Sequence, residues 1–496
     1  MEAAADGFIV AKVKRPPSHR LGLSRRRFLQ GCLTAGAGAI LTSAPWARGQ
    51  SFRRRPNIVL LVADDQRADS MGCAGNRIIQ TPNMDALAAQ GVRFTQSFAT
   101  AAMCPTSRVS LLTGLYPANH KIEGFFTSIP PDRYRNTHSQ ILRRAGYRVG
   151  FVGKWGIGTD LPKQSYDYFQ GFSGQGYYWE PPNPKHLTVR QADQAIEFLN
   201  TGPKNRPFFL QVSFKAPHVQ DEGRDKPGIY VKYPYDPALK QMYATDVIPM
   251  PQTRDAAPLP DFFKPSLNCT REAPDFRPQT YQEAVKDLYR LVSGLDIALG
   301  RIRQALRDMG AEDNTVIIYT ADHGSIYGEH GMGGKWLMFE ESIRRPTIIM
   351  DPRNSSQFRG TTRDEMVLNI DIMPTILDLA GENIPPGVQG SSLIPLATGQ
   401  TRPWRDQWFY QFHNEPGAPI VPSEGIRTAR WKYIRYIKTI PMYEQLFDLK
   451  VDPREQRNLA AAPEHQTQLN YFRNRWQVWR GSLDGFNLTT RWSNPA

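Results

Sequence analysis

Cysteine is scarce in this sequence, with four residues in a chain of 496. A count this low excludes a disulfide-stapled scaffold and a zinc site built from cysteine clusters. The chain also lacks an uncharged run of about 20 apolar residues, which excludes a polytopic membrane protein, and we expect no integral membrane anchor. No dinucleotide-binding glycine fingerprint follows a strand, and neither Lys154 nor Lys335 has the neighbours of a phosphate-loop ATPase lysine.

Acidic residues are outnumbered by basic ones, 47 against 61, so the formal net charge is +14. Such an excess favours an anionic partner, which could be nucleic acid, a membrane surface or a polyanionic substrate. The basic and aromatic run at residues 427–436 alternates as a β-strand does, so we expect no nucleic-acid partner. The rest of the composition, with 40% hydrophobic and 22% charged residues, is typical of a globular protein.

The N-terminus has the order of an export signal. Seven basic and two acidic residues precede Phe28, and residues 28–44 carry no charge. Residues 24–30, Ser-Arg-Arg-Arg-Phe-Leu-Gln, resemble the twin-arginine export motif. We therefore expect residues 1–47 to be a signal peptide, the twin-arginine translocon to act in maturation, and the mature chain to be periplasmic in a bacterium or secreted. The alternative is a basic patch that happens to precede a buried helix.

Apolar, β-branched runs alternate with helical patterns along the rest of the chain, which predicts an α/β fold. We expect a large domain at 52–400, with a central mixed, mostly parallel sheet flanked by helices. We expect a smaller C-terminal α+β domain with an antiparallel sheet at 401–496. Residues 216–280 have little periodicity and should form a long surface excursion that walls a binding site. The predicted strands are 57–63, 147–152, 208–214, 315–320 and 431–436, and the predicted helices are 85–90, 109–113, 281–309 and 464–480.

Charged and polar residues follow four of these predicted strands. They are Asp64, Asp65, Lys154, Lys215, His218, Asp322 and His323. Any one of them alone is more typical of a helix cap or a surface position. In open α/β sheets, however, ligands bind outside the carboxyl ends of the strands, and four strands place such residues there. The carboxylates could meet as a site for calcium or magnesium, although a histidine ligand is less usual for those ions.

Cys104 adds to this predicted site, because it precedes the helical pattern at 109–113. The backbone N–H groups at a helix N-terminus favour an anion at such a cysteine. The ordinary alternative for a lone cysteine is a small buried apolar residue. Cys73 and Cys269 could form a disulfide after export, or both could stay buried thiols.

These motifs together resemble the type I, formylglycine-dependent sulfatases of the alkaline phosphatase superfamily, over residues 56–459. The motifs occur in the family's order. They are the two aspartates after the first strand, residues 104–108 with the following 111–117, Gly153-Lys154-Trp155, Ala216-Pro217-His218, residues 320–324, Gly334-Lys335-Trp336 and residues 446–449.

The resemblance implies a set of roles for these residues. It implies one calcium ion held by Asp64, Asp65, Asp322, His323 and Cys104. It implies that a formylglycine-generating enzyme oxidises Cys104 to formylglycine, whose hydrated aldehyde attacks a sulfate ester. The charge on the transferred group would be offset by Lys154, Lys335 and Arg108, and His218 or Lys335 would protonate the leaving oxygen.

Two positions depart from the family's pattern. Thr106 stands where the family usually has proline or alanine, in the segment that the modifying enzyme recognises, and Gly156 stands where a histidine assists sulfate release. We expect a sulfatase that acts on a sulfated carbohydrate, since residues 171–178 resemble a segment of sulfatases for sulfated hexosamine or uronate. The alternatives are a phosphate or phosphonate ester hydrolase of the same superfamily, and a degenerate relative that only binds sulfated glycans.

Overall fold

A computed structural model gives the fold of the chain for residues 55–180, 182–203, 205–221, 232–255, 259–413 and 419–482. The predicted signal peptide at 1–47 lies outside these residues and stays a prediction. The predicted domain limits at 52, 400 and 401 also stay predictions. Of the helices in the described part of the chain, none is long and apolar enough to cross a membrane.

An eight-stranded sheet forms the centre of the larger part of the fold. In spatial order its strands are β11 (Thr361–Arg363), β2 (Val92–Phe94), β10 (Thr347–Met350), β7 (Thr315–Ala321), β1 (Asn57–Asp64), β6 (Phe208–Pro217), β4 (Arg148–Lys154) and β5 (Tyr168–Phe172). Neighbouring strands are parallel, except that β10 runs antiparallel to both β2 and β7. The prediction of a mixed, mostly parallel sheet is confirmed.

Strand β1 shows why such apolar runs lie at the centre of the sheet. Successive side chains of a strand point to opposite faces. In β1 Val59 and Leu61 pack into the core on one face, and Leu60 and Val62 pack into the core on the other. A strand covered on both faces needs apolar residues at every position, which is the continuous pattern that its sequence has.

Helices cover both faces of this sheet, as predicted. One face packs against α1 (Pro82–Gln90), α6 (Leu187–Thr201) and α7 (Tyr281–Asp308). The other face packs against α2 (Cys104–Thr113), α5 (His138–Arg144), α9 (Ile372–Ala380) and α10 (Ile394–Ala397). The connections contain the short helices α3 (Pro117–His120), α4 (Pro131–Tyr134) and α8 (Glu340–Ile343), and the paired short strands β3 (Ser97–Phe98) with β12 (Val367–Leu368) and β8 (Ile326–Tyr327) with β9 (Gly333–Gly334).

A second, antiparallel sheet follows near the C-terminus. Its strands are β13 (Gln407–Phe412), β14 (Ser423–Thr428), β15 (Trp431–Tyr436) and β16 (Tyr443–Asp448). The last helix, α11 (Gln466–Ser482), packs Leu469, Phe472 and Trp479 into the same apolar cluster as this sheet. The prediction of a C-terminal antiparallel sheet with a closing helix is confirmed.

Two predicted helices begin earlier than the apolar pattern indicates. Helix α1 begins at Pro82 rather than at 85, and α2 begins at Cys104 rather than at 109. In both helices a proline lies in the first turn, where its missing N–H breaks no hydrogen bond of the helix. The early start of α2 places Cys104 itself at the helix N-terminus.

The segment 216–280 is irregular, as predicted, but it is not a surface excursion throughout. Its described residues form short helical turns, such as Asp261–Phe263 and Asn268–Glu272. Tyr243 and Phe263 are buried, the first against α7 and the second beside the antiparallel sheet. The prediction of a surface segment is therefore wrong for these residues, because their aromatic side chains complete the two cores.

His413 links the antiparallel sheet to the connection after α3. Its Nδ1 lies 3.0 Å from Glu123 Oε1, and its Nε2 lies 2.7 Å from Glu424 Oε1. The hydrogen bonds to these two carboxylates raise the pKa of His413 from its ordinary value of 6.5 to about 9. The charged imidazolium therefore stabilises the folded chain fully below pH 6.5, and this stabilisation is lost as the pH rises through 9.

We predict that the free energy of unfolding falls between pH 6.5 and 9, by about 1–2 kcal/mol from this histidine alone. The fall should be smaller in H413Q, because glutamine carries no charge to lose. Denaturant unfolding at a series of pH values measures it. H465Q, which changes a histidine lying edge-on to Trp431, serves as the control. An equal fall in H413Q and the unchanged protein would show that other groups cause it.

Candidate active site

Four neighbouring strands of the large sheet end at one edge, and a charged or polar side chain lies at or just after each end. Strand β1 ends at Asp64, β4 ends at Lys154, β6 ends just before His218, and β7 ends just before Asp322. Because these strands are parallel, their carboxyl ends lie side by side. The structure therefore brings together residues that lie far apart in the sequence.

Cys104 lies at the centre of this group, at the first position of α2, and its side chain is fully buried. Its Sγ is 3.2 Å from Asp64 Oδ1, 3.5 Å from His323 Nε2 and 3.2 Å from Lys335 Nζ. Burial and the Asp64 carboxylate raise the pKa of the Cys104 thiol far above its usual value. The cysteine is therefore a neutral thiol at neutral pH.

Three buried carboxylates at this site are each paired with a buried cation. The pairs and their N···O distances are Lys154–Asp64 at 2.5 Å, Lys335–Asp65 at 2.6 Å and Arg108–Asp322 at 3.1 Å. An isolated buried charge costs several kcal/mol, so each pairing is needed for its members to stay ionised inside the protein.

The two aspartates after β1 respond differently to this environment. Burial alone would raise the pKa of Asp64, but the ammonium group of Lys154 contributes most to lowering it well below its usual value. Burial raises the pKa of Asp65 to about 6, although Lys335 lowers it in part. Both carboxylates are therefore ionised at neutral pH and can act as ligands or as hydrogen-bond acceptors.

The acidic, cysteine and histidine side chains form two overlapping donor sets. One set is Asp64, Asp65, Cys104 and His218, the other is Asp64, Cys104, Asp322 and His323, and in each set the ligand atoms lie within 4.8 Å of one another. Carboxylate oxygens suit a hard cation such as Ca²⁺ or Mg²⁺, whereas a thiol sulfur does not. The donor set fits a hard divalent ion, and it would fit better with an oxygen in place of the sulfur at residue 104.

Both histidines are oriented by the backbone carbonyl of the next residue. The Nδ1 to O distance is 2.9 Å for His323 and 2.7 Å for His218. With the proton on Nδ1, Nε2 is left as an acceptor, which faces Cys104 in His323 and lies 3.8 Å from Asp65 Oδ2 in His218. Burial and the nearby lysine ammonium groups lower the pKa of His218 well below its usual value.

Two residues near the site differ from the expectation based on sequence. Lys215 follows a predicted strand, but it lies inside β6, its Nζ donates to the carbonyl of Val219 and it lies 5.2 Å from the centre of the Tyr178 ring. Gln175, which the sequence did not single out, accepts a hydrogen bond from Lys154 Nζ. The glycine-rich stretch at 171–178 was the available signal, since glycines allow a loop to approach a buried site closely.

A narrow cleft leads to Lys335 and Asp65, and its walls include Arg271 and Trp336. The Arg271 guanidinium lies 5.6 Å from the centre of the Trp336 ring, and its Nε donates to Glu272 Oε1 at 2.5 Å. A guanidinium at the side of such a cleft can bind an anionic group of a ligand.

Two models of protein families match this chain. The Sulfatase model matches residues 56–382. The model described as N-sulphoglucosamine sulphohydrolase, C-terminal, matches residues 328–480. The two matches together span the large sheet, the site and the antiparallel sheet.

Known proteins are similar to this chain over most of its length. An N-acetylglucosamine-6-O-sulfatase of Bacteroides thetaiotaomicron is 30% identical and aligns over 83% of this chain and 84% of its own. The multifunctional alkaline phosphatase superfamily protein PehA of Trinickia caryophylli is 27% identical, over 89% of this chain and 98% of its own. A solved structure in complex with its substrate, D-glucosamine-2-N,6-O-disulfate, is 26% identical, covers 88% of this chain and 100% of that chain, and has a TM-score of 0.76.

We predict that millimolar Ca²⁺ raises the melting temperature of protein stripped with a chelator, by about 2–6 °C, because a ligand that binds only the folded chain stabilises it. D322N should lose this shift, since it removes a charged oxygen from the donor set. Differential scanning calorimetry with and without Ca²⁺ measures both. D69N, which changes a nearby carboxylate that is 61% exposed, should keep the shift. An equal shift in D322N would place the bound ion elsewhere.

Proposed function

Because the chain belongs to the sulfatase family, a family of sulfuric ester hydrolases, we propose that it removes sulfate from a sulfated carbohydrate with residue 104 as the nucleophile. The observation that carries this proposal is the placement of Cys104 at the N-terminus of α2, 3.2 Å from both Asp64 Oδ1 and Lys335 Nζ. An atom at this position has a proton acceptor on one side and a cation on the other. These are the two neighbours that a nucleophile attacking an anionic ester needs.

The proposed nucleophile is formylglycine, made by oxidation of Cys104. When hydrated, this group would supply a hydroxyl as the nucleophile. A neutral thiol at the same position would be a poor nucleophile toward a sulfate ester. Asp64 Oδ1 lies within hydrogen-bonding distance of the Cys104 Sγ, so it is placed to accept a proton from a hydroxyl there. The backbone N–H groups of the first turn of α2 would favour negative charge at the same place.

The proposed cofactor is one calcium ion, which would be held by Asp64, Asp65, Asp322, His323 and residue 104. Bound there, it would supply positive charge for the oxygens of the transferred sulfuryl group. The protein's own contribution is the orientation of the ligands. Asp322 Oδ1 accepts from the backbone N–H groups of Asp65 and His323, which fixes that carboxylate before any ion binds.

The three cations of the site would offset the charge that sulfuryl transfer concentrates on oxygen. The ammonium group of Lys154 donates to Asp64 and Gln175 and has one further N–H donor for the substrate. The ammonium group of Lys335 donates to both oxygens of Asp65 and to Cys104 Sγ, so its third donor is directed at the place of the nucleophile.

Arg108 is held by Asp322 and by the carbonyl of Lys154. Its Nη2 lies 3.5 Å from Asp64 Oδ2 but makes no hydrogen bond within the described residues. We propose that the N–H groups of Nη2 bind a sulfuryl oxygen.

We propose that Lys335 or His218 protonates the leaving oxygen. Lys335 is an ammonium group and already has the proton, whereas His218 would first have to take one up at Nε2. Both side chains line the cleft that leads to Asp65, and Lys335 Nζ lies 3.2 Å from Cys104 Sγ. A sugar alkoxide is a poor leaving group, so a proton donor at this position would contribute strongly to the rate.

The proposed substrate class is a sulfated sugar. The relatives named for N-acetylglucosamine 6-sulfate and for a glucosamine disulfate support it. So does the net positive charge, which is about +9 without the seven basic and two acidic residues of the proposed signal peptide. Arg271, at the wall of the cleft, would bind a second anionic group of such a sugar.

We propose that maturation requires two partners. The twin-arginine translocon would export the chain after recognising residues 24–30, and a formylglycine-generating enzyme would act on Cys104. The mature protein would then work in the periplasm or outside the cell. It would consist of a catalytic domain at 52–400 and a C-terminal subdomain at 401–496.

A phosphate or phosphonate ester hydrolase is the second candidate. The similarity to PehA, a multifunctional protein of the alkaline phosphatase superfamily, favours it, because a site built for tetrahedral sulfur also fits tetrahedral phosphorus. We do not propose the alternative of a glycan-binding protein without activity, because the chain keeps Cys104 and all three cations.

We predict that the tryptic peptide 94–108, taken from protein exported by a host that makes formylglycine, has the mass change for replacing CH₂SH by an aldehyde at residue 104. The same protein should hydrolyse sulfate esters at least 100-fold faster than phosphate or phosphonate esters of the same alcohol, and C104A should have no activity on any of them. Mass spectrometry and initial rates measure these quantities.

An unmodified cysteine in active protein would contradict the proposed nucleophile. Faster hydrolysis of the phosphorus esters would favour the second candidate instead. The mass measurement also tests the effect of Thr106, which stands where substrates of the modifying enzyme usually have proline or alanine.

We predict that loss of the proton donor depends on the leaving group. Whichever of K335A and H218A lacks the proton donor should lose about 100- to 10,000-fold in kcat/KM on a sugar sulfate. Its loss in kcat/KM on nitrophenyl sulfate should be about tenfold smaller, because the nitrophenoxide leaves without a proton. K154A is the control, since a cation on the sulfuryl oxygens affects both substrates equally. Equal losses on both substrates in K335A and in H218A would show that neither residue protonates the leaving oxygen.

A further inference from the structure

We infer that Gln175 is a positioning residue for sulfate binding, which holds Lys154 in place and donates a hydrogen bond to the sulfuryl group that Lys154 binds. The inference rests on the proposed function, and it names the group that acts in place of the histidine expected at 156.

Gln175 reaches the site from the loop that follows β5. Strands β4 and β5 are parallel neighbours, and Lys154 at the end of β4 is in register with Phe172 at the end of β5. Three residues after Phe172, the Gln175 side chain turns back toward β4, where its Oε1 accepts a hydrogen bond from Lys154 Nζ. A loop on the neighbouring strand thus supplies a side chain to the centre of the site.

Lys154 is held between two acceptors. Its Nζ donates to Asp64 Oδ2 and to Gln175 Oε1, each at 2.5 Å, and its side chain is fully buried. An ammonium group has three N–H donors, so these two bonds leave one for a ligand and determine where it points. Without Gln175, the long lysine side chain would be held by a single ion pair, and it would be free to rotate about that contact.

Gly156 has no side chain, so the space between it and the side chains of Arg108 and Lys154 is left open. A Cβ added at this residue would lie 3.2 Å from Arg108 Cδ and 3.5 Å from Lys154 Cε, so a larger side chain would be directed at both. The φ of Gly156 is +68°, a left-handed value that is costly for residues with a Cβ. The backbone at 156 therefore favours glycine, and a donor must come from elsewhere.

The amide of Gln175 can supply such a donor beside Lys154 Nζ. Its Oε1 is used by Lys154, and within the described residues its Nε2 donates to no protein group. The two N–H bonds on Nε2 can therefore bind an oxygen of the sulfuryl group that Lys154 also binds. Because an amide has no proton to release near neutral pH, Gln175 orients and donates but does not act as an acid or a base.

Q175A tests the inference, with Q170A as the matched control, because Gln170 is an exposed glutamine on β5 itself. We expect kcat on a sulfate ester to fall about 10- to 100-fold in Q175A, with a smaller change in KM. The dissociation constant of inorganic sulfate, measured by titration calorimetry, should rise at least tenfold. The melting temperature and the formylglycine content of Q175A should match those of Q170A.

Q175E distinguishes the two roles of Gln175, which are to hold Lys154 through an oxygen acceptor and to donate an N–H to the sulfuryl group. Glutamate keeps an oxygen acceptor for Lys154, but it places a second acceptor where the amide N–H₂ faced the sulfuryl oxygens. We therefore expect Q175E to lose at least as much activity and sulfate affinity as Q175A. Activity and affinity within twofold of Q170A, in either variant, would overturn the inference.

Failure of the proposed function would give a different pattern. If the unmutated protein hydrolyses no sulfate ester, the sulfate affinities alone decide, since they require no nucleophile. A tenfold weaker affinity in Q175A than in the unmutated protein would then support the inference, and equal affinities would contradict it. If the unmutated protein is active and Q175A matches it, only the role of Gln175 is wrong.

Discussion

The pairing of three buried carboxylates with three buried cations is the interaction on which the rest of the site depends. A buried charge without a partner is far more costly than any single hydrogen bond, so the six side chains must be arranged together. Four of them come from the ends of β1, β4 and β7, and the others come from α2 and from the segment after β9. The register of the central strands therefore determines the electrostatics of the site, and a shift of one residue in one strand would leave charges unpaired.

This pairing also explains why the site can attract an anion although it contains as many carboxylates as cations. The carboxylates occupy only part of the donor capacity of the cations, because Lys154 and Arg108 have N–H groups to spare and Lys335 directs one at Cys104 Sγ. Arg108 Nη2 is the clearest case, since it is buried and makes no hydrogen bond within the described residues. The site thus balances its own charge and still presents donors toward a ligand, with the protein paying the cost of desolvation during folding.

The sequence was sufficient to predict most of the central sheet, because continuous β-branched runs such as residues 57–63 are typical of strands buried on both faces. It also placed polar residues at the ends of those strands, which the structure brings to one edge. The glycines at 171–178 indicate a loop that can approach a site closely, but they do not show that Gln175 is the side chain that reaches Lys154, because this depends on the path of the whole chain. The same limit applies to Tyr243 and Phe263, which lie in a segment without periodicity and are buried by contacts distant in sequence.

The residues of the site are separated by long stretches of chain, and the Lys335–Asp65 pair alone spans 270 positions. Closing a loop of that length costs chain entropy, which the packing of the sheet between its ends must offset. No fragment that ends before residue 335 could contain the site, and local opening of one loop would not release a ligand held by all of its members. The geometry thus makes the site a property of the cooperatively folded chain, and its occupancy would report on the integrity of the whole sheet.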